Sequence, residues 1–423
     1  MPFPRMLRLR QKFDARRVND IPGEVERQLA SLRLGEQVRP GQTVAITAGS
    51  RGVANIAVIT KAMVAHFQKL GAVPFVVPAM GSHGGGTAEG QQEILAGYGI
   101  TPDFVGCDVR ASMETVIVDR TSQGIPVHFD KHAFGADHVV VAGRVKPHTG
   151  FVGEIESGLH KMMLIGLGKH EGAKIYHRAI IDYSWLEIVM AVAESVLRKC
   201  HVLCGVGIVE NAYDETAFIE AVPPQKFLER EKELLKLARQ GMPRLPFNRV
   251  DLLIVDELGK NISGSGIDTN VVGRKYSDHK ATEKDDVVVK RIFVRGLTKE
   301  THGNACGMGL TEFTNQRTID AVDKSITAIN SETGGHPSAA SLPIAYETDR
   351  EVLEKALPTV GLVEPENARV VHISNTLHVS EVLVSESHQP EIRERPDLEV
   401  IEPPSDMRFD STGNLLPVAR GHH

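Results

Sequence analysis

Residues 144–177 read RVKPHTGFVGEIESGLHKMMLIGLGKHEGAKIYH, a run of histidines and lysines set between glycines. They follow HVVVAG at His138–Gly143, an apolar stretch of the length expected for a buried strand. The polar residues therefore begin where a strand ends, which is where open α/β sheets hold their ligands. His148 lies just after that strand, Lys161 in a glycine-containing turn ahead of MMLIGLG, and His177 sixteen residues beyond the lysine. Spacing leaves open whether the three converge.

Upstream of this stretch the same alternation repeats. TVAIT at 43–47 reads as a buried strand, followed by the loop AGSRGVAN and an amphipathic run at 56–70. AVPFVVPA at 72–79 reads as the next strand, then MGSHGGG, then a helix over 87–98 with Thr87 as its N-cap. Strands alternating with helices of this length argue a largely parallel sheet. Residues 116–129 read as a hairpin turning at 122–124, 185–199 as a long helix, 201–209 as a short strand and 225–240 as a charged surface helix. GMPRLPFNR at 241–249 breaks the pattern with two prolines. VDLLIV at 250–255 then restarts it, with DELGKNISGSG as its polar exit, and a strand at 291–294, a helix over 315–329 and a strand at 368–373 follow. The expected architecture is two α/β domains with mainly parallel sheets, 1–243 and 250–420, and an active-site cleft between them.

With 423 residues, the chain has room for more than one core. Forty-eight basic against fifty-four acidic residues, with one Trp and six Tyr, leave no basic aromatic surface for nucleic acid. The basic N-terminus lacks a continuous apolar segment, and no stretch reaches the roughly 20 apolar residues that span a bilayer. Four cysteines without a CxxC pair fit a reducing compartment, so a cytoplasmic protein is expected.

Four polar residues stand at one kind of place: Arg51 after the first strand, His83 after the second, His148 after the third and Lys260 after the strand at 250–255. A guanidinium flanked by glycines suits bidentate grip of a carboxylate. A histidine in GSHGGG suits acid/base or ligand work, and an amine beside an apolar run is open to desolvation and nucleophilic use. Each also fits a plainer place, on a solvated loop or a helix surface. HExxH and zinc-ribbon spacings are absent, although His83, His148 and His177 could still assemble as ligands of an ordinary metal. His160, His170, His302, His336, Glu154 and Glu156 read as structural or solvent-facing.

Taken in order, the arginine loop, the SHGGG histidine, the PH…SGLHK…H array and the DELGK loop resemble the nickel-dependent lactate racemase family, whose members carry a nickel-pincer nucleotide. The resemblance covers most of the chain, and the Lys161–His177 spacing carries it most sharply. It implies that Lys161 bonds covalently to the cofactor and that His177 is the protein ligand to nickel, a metal suited by tetragonal geometry. It further implies that His83 and His148 are the acid/base pair, that Arg51 and Lys260 hold the substrate carboxylate and developing charge, and that Glu257 takes the place of a family glutamine. The implied reaction inverts the C2 centre of a 2-hydroxy acid by hydride transfer through a planar 2-keto acid, and the implied partners are that substrate and the cofactor-assembly proteins.

Departures from the family pattern point to a divergent branch. Ala48 replaces the acidic residue three before the arginine, glycines follow His83 in place of Arg-Pro, and about three extra residues between His148 and Lys161 bring Glu154 and Glu156. A larger or more polar substrate, such as a sugar acid, is the corresponding expectation. The competing expectation is a metal-dependent hydrolase or lyase that uses the loop histidines as ligands.

Overall fold

The computed structural model describes residues 2–50 and 52–419. The chain divides into two compact units, Ala15–Met242 and a second unit that joins Met1–Asp14 to Pro243–His423. The first fourteen residues, read above with the first domain, thus lie in the second unit, where β1 (Met6–Gln11) is a strand.

The first unit is built on a five-stranded sheet in the order β3-β2-β6-β7-β8. Its strands are β2 (Thr43–Ala48), β3 (Val73–Pro78), β6 (His138–Arg144), β7 (Val202–Glu210) and β8 (Thr216–Val222). The first four pair in parallel and β8 closes the edge antiparallel to β7. Parallel strands covered on both faces read as unbroken apolar runs, which is why TVAIT and HVVVAG show no alternation. Their side chains nevertheless alternate in space. Val44 and Ile46 enter one core layer with Ile59, Met63 and Phe67 of α2 (Ile56–Lys69), whereas Ala45, Val139 and Val141 enter the other with Ile188, Val192 and Val196.

Local chemistry sets the helix ends. The first helix, α1, spans Ile21–Ser31. In α3 (Ala88–Gly97) the Thr87 hydroxyl accepts from the Gly90 N–H at 3.1 Å and donates to the Gly84 carbonyl at 3.0 Å, so one side chain joins the helix to the SHGGG loop. After α4 (Lys169–Asp182), α5 (Trp185–Lys199) opens on a Ser184/Glu187 capping box, as its bounds in the sequence suggest. The helix α6 (Phe227–Gly241) completes the unit. The hairpin read at 116–129 is present as β4 (Thr115–Arg120) paired antiparallel with β5 (Pro126–Asp130).

The second unit holds an eight-stranded sheet in the order β12-β11-β10-β9-β13-β14-β1-β15. Here β9 is Arg249–Val255, β10 Val288–Val294, β11 Phe313–Asn315, β12 Ile344–Tyr346, β13 Val370–Ile373, β14 Glu381–Ser385 and β15 Leu398–Ser405. β9 to β13 are parallel, and β14, β1 and β15 extend the sheet antiparallel. The single helix expected over 315–329 is two, Gln316–Asp320 and Lys324–Thr333. Asp323 ends the continuity because its carboxylate accepts the Ile326 N–H at 2.9 Å and caps the second helix. Among the described residues, no helix is long and apolar enough to cross a membrane.

The Thr87 cap yields a direct test. Thr87→Ala removes both its hydrogen bonds and is expected to lower stability by about 1 kcal/mol, measured as a shift in the urea unfolding midpoint.

Candidate active site

The carboxyl ends of β2, β3, β6 and β7 lie at one edge of the first sheet, so the loops that leave them share that edge. The segment after Lys161 packs directly beneath them. A Cβ at Gly49 would lie 3.2 Å from the Met162 Cε and one at Gly143 would lie 3.3 Å from it. A side chain at Gly49, just after β2, or at Gly143, near the end of β6, would crowd the Met162 methyl. Met162–Gly166 forms a π turn in which the Leu167 N–H reaches back to the Met162 carbonyl at 2.9 Å, a local irregularity often found at functional sites.

Phe151, absent from the sequence-based candidates, is the centre around which three of them gather. Its ring stacks on His148 with centroids 4.1 Å apart and 9° between planes, and its other face stacks on Trp185 at 4.0 Å and 11°. The Lys161 Nζ stands 5.5 Å from the same ring centroid and the His177 ring 6.1 Å away. Trp185 is itself anchored by its indole N–H, which donates to the Ile155 carbonyl at 3.0 Å. The only sequence signal was an aromatic residue in a glycine-flanked loop between His148 and Lys161.

The two histidines at strand exits are held differently. His148 Nδ1 accepts the backbone N–H groups of Gly150 and Phe151 at 3.0 and 2.9 Å, so a neutral His148 carries its proton on Nε2. The His148 backbone N–H donates to Glu156 Oε2 at 2.8 Å. His83 is exposed, and its Nδ1 is hydrogen-bonded to the Ser50 hydroxyl. Ser50 is in turn fixed by the Tyr98 hydroxyl, which donates to its carbonyl at 2.7 Å. In the SHGGG loop Gly84 takes a φ of +67°, and a Cβ there would lie 2.6 Å from the Gln91 backbone nitrogen. Only glycine fits this approach of loop to helix. Arg51 lies outside the described residues, but its neighbours are held: Arg144 pairs with Glu210 and donates to the Gly52 carbonyl at 3.2 Å, while Glu210 accepts the Ala54 N–H at 2.6 Å.

The charged helix α6 supports the whole stretch from within the same unit. Glu231 is buried, and its Oε2 accepts the His160 N–H at 3.0 Å and bonds the His160 Nδ1 at 2.8 Å. Arg239 donates to Glu156 at 2.8 Å, and Lys232 pairs with Glu154 at 2.6 Å. Thus His160, Glu154 and Glu156, read as structural or solvent-facing, tie the stretch between His148 and Lys161 to α6. The surface helix read at 225–240 is the element they are tied to.

The surroundings of His177 favour the neutral imidazole. Burial pushes its pKa down to about 4, with the neighbouring Lys161 ammonium as the smaller cause. A neutral ring nitrogen can ligate a metal and an amine can carry a covalent anchor, so His177 and Lys161 fit the group implied by the sequence. Among the described residues no group of three His, Cys, Asp or Glu side chains is placed to hold a metal ion.

Lys260 and Glu257 belong to the second unit, at the exit of β9. The Glu257 N–H donates to the Ser374 carbonyl at 3.0 Å, and its carboxylate accepts from the Asn375 amide at 3.1 Å. The Lys260 N–H donates to the Thr301 hydroxyl at 3.1 Å, and its ammonium to the Gly264 carbonyl. Both therefore stand at the carboxyl edge of that unit's parallel strands.

The architecture defines an α/β protein with the fold of a solved lactate racemase: the apoprotein from Thermoanaerobacterium thermosaccharolyticum superposes with a TM-score of 0.53 at 14% identity, covering 87% of this chain and 93% of that one. Residues 10–185 match the family model of the lactate racemase N-terminal domain, and the chain is lactate racemase-like through this stretch, which contains His83, His148, Lys161 and His177. No curated protein sequence matches the chain.

The ranking of causes at His177 is testable by NMR. Its ring should titrate with a midpoint near pH 4. In Lys161→Met the midpoint should rise only part of the way to the ordinary histidine value of about 6.5, because burial, the larger cause, remains. Since the folded pKa is depressed, this histidine's contribution to stability is intact above about pH 6.5 and is lost as pH falls towards 4.

Proposed function

We propose that the protein is an isomerase that inverts the C2 centre of a 2-hydroxy acid, with a nickel-pincer nucleotide held covalently by Lys161 and ligated by His177. The observation that carries this reading is the gathering of His148, Lys161 and His177 on one aromatic ring, within the stretch matched by the lactate racemase N-terminal domain. When bound, the cofactor supplies the acceptor and donor of the C2 hydride. The chain supplies everything else.

His83 and His148 are the acid/base pair, one for each enantiomer's hydroxyl. In the tautomer that donates its Nδ1–H to the Ser50 hydroxyl, His83 carries its basic lone pair on Nε2, the nitrogen that takes the substrate hydroxyl proton. His148 is held in the complementary state, with Nδ1 accepting and Nε2 protonated. To give up the Nε2 proton as an imidazolium, or to take one as a base, it needs a proton on Nδ1. The Gly150 and Phe151 N–H groups must then leave that nitrogen, so the turn 149–151 opens in the catalytic cycle. Arg51 grips the substrate carboxylate, and Lys260 and Glu257 keep the charge-holding roles that the family resemblance implies. The cofactor-assembly proteins are the required partners.

The test uses the cofactor-loaded protein with single enantiomers of 2-hydroxy acids in D2O. Inversion with the C2 hydrogen retained is expected, whereas deuterium at C2 would replace hydride transfer with proton abstraction. His83→Ala and His148→Ala should each lower the inversion rate by about 10²- to 10⁴-fold with nickel content unchanged. Nickel loss from either variant would make that histidine a ligand. Zinc- or manganese-dependent hydrolysis or elimination without inversion would replace the proposal with the metal-hydrolase or lyase reading.

A further inference from the structure

Lys169 is fully buried, and it adopts a φ of +53°, the left-handed region that a side-chain-bearing residue enters at a cost. A methionine or leucine would fill the same volume without desolvating a charge. Burial pulls the Lys169 pKa down while Asp130 opposes it. Such costs persist where the surroundings over-determine a residue, and the partners of this ammonium show what they determine.

The Lys169 Nζ donates to the Pro78 carbonyl at the end of β3, and it lies 3.4 Å from Gln91 Oε1 and 2.9 Å from Asp130 Oδ2. Asp130 is equally buried, and its other oxygen caps the Ala133 N–H at 2.8 Å. Gln91, also without exposure, turns its amide nitrogen to two carbonyls of the SHGGG loop, Gly81 at 2.9 Å and His83 at 3.2 Å. A continuous line of polar contacts therefore runs from Asp130 through Lys169 and Gln91 to the peptide of His83. Lys169 is also the first residue of α4, eight residues after Lys161 and eight before His177.

We propose that Lys169 is a positioning residue that, through Gln91, fixes the His83 loop against the segment carrying Lys161 and His177. This rests on the reading of His83 as one of the acid/base pair. A lysine that only held the core together would need no partner reaching the loop, whereas Gln91 spends both its amide hydrogens there.

Three variants separate the alternatives: Lys169→Met, Gln91→Leu and Gln91→Glu. Gln91→Glu keeps an acceptor for the ammonium but cannot donate to Gly81 and His83. In the unloaded protein, the His83 ring resonances should shift in all three, while those of His66 and His138, bonded to Glu26 and Gln42, stay in place. In the loaded protein kcat should fall about 10- to 100-fold, the range for losing an outer-shell partner, with KM changed less than about threefold. Unmoved His83 resonances in both Gln91 variants would overturn the proposal, as would an unchanged kcat in Gln91→Glu. A Lys169→Met chain that fails to fold leaves the two Gln91 variants to decide. If no protein inverts a hydroxy acid, the functional reading fails, and the resonances still decide the positioning role.

Discussion

The parallel pairing of β2 with β3 and β6 is the constraint on which the site depends. Parallel strands send every exit loop to the same edge, so the loops of Ser50, His83 and His148 leave there together although nearly a hundred residues separate the first from the last. The pairing alone does not orient them. Orientation comes from close contact beneath the edge, where Met162 fills the room left by Gly49 and Gly143, and from Phe151, whose two faces are taken by His148 and Trp185.

Charged side chains outside the candidate set hold the remainder in place. Buried polar groups must be partnered, and here the partners are spent on backbone next to the candidate site residues. Glu231 grips the amide of His160, Glu156 grips the amide of His148, and Glu210 with Arg144 brackets the loop after Arg51. Lys169 does the same for the loop of His83 by way of Gln91. Each of these anchors lies in the first unit, so that unit carries its own means of keeping both histidines, the lysine and His177 in register.

Local patterns were legible in the chain. Continuous apolar runs marked β2, β3 and β6, and the capping chemistry of Thr87 marked the start of α3. Long-range pairing was not. The N-terminal strand β1 finds its partners at 381–385 and 398–405, and nothing in MLRLRQ points that far. MMLIGLG was read as desolvating Lys161, which is half-buried, whereas the fully buried amine of this stretch is Lys169. Phe151 and the supporting role of α6, read only as a charged surface helix, escaped notice for a related reason. An aromatic residue in a loop and a charged helix acquire meaning only from what they touch.

The central claim is that Lys161 and His177 together hold a nickel-containing cofactor, and peptide mass spectrometry with metal analysis tests it most directly. On protein produced together with the pincer-assembly enzymes, the account predicts an added mass on the Lys161 peptide and close to one nickel per chain, with nickel lost in His177→Ala while the Lys161 adduct remains. An unmodified Lys161 and no bound nickel, under conditions that load a known lactate racemase, would contradict it.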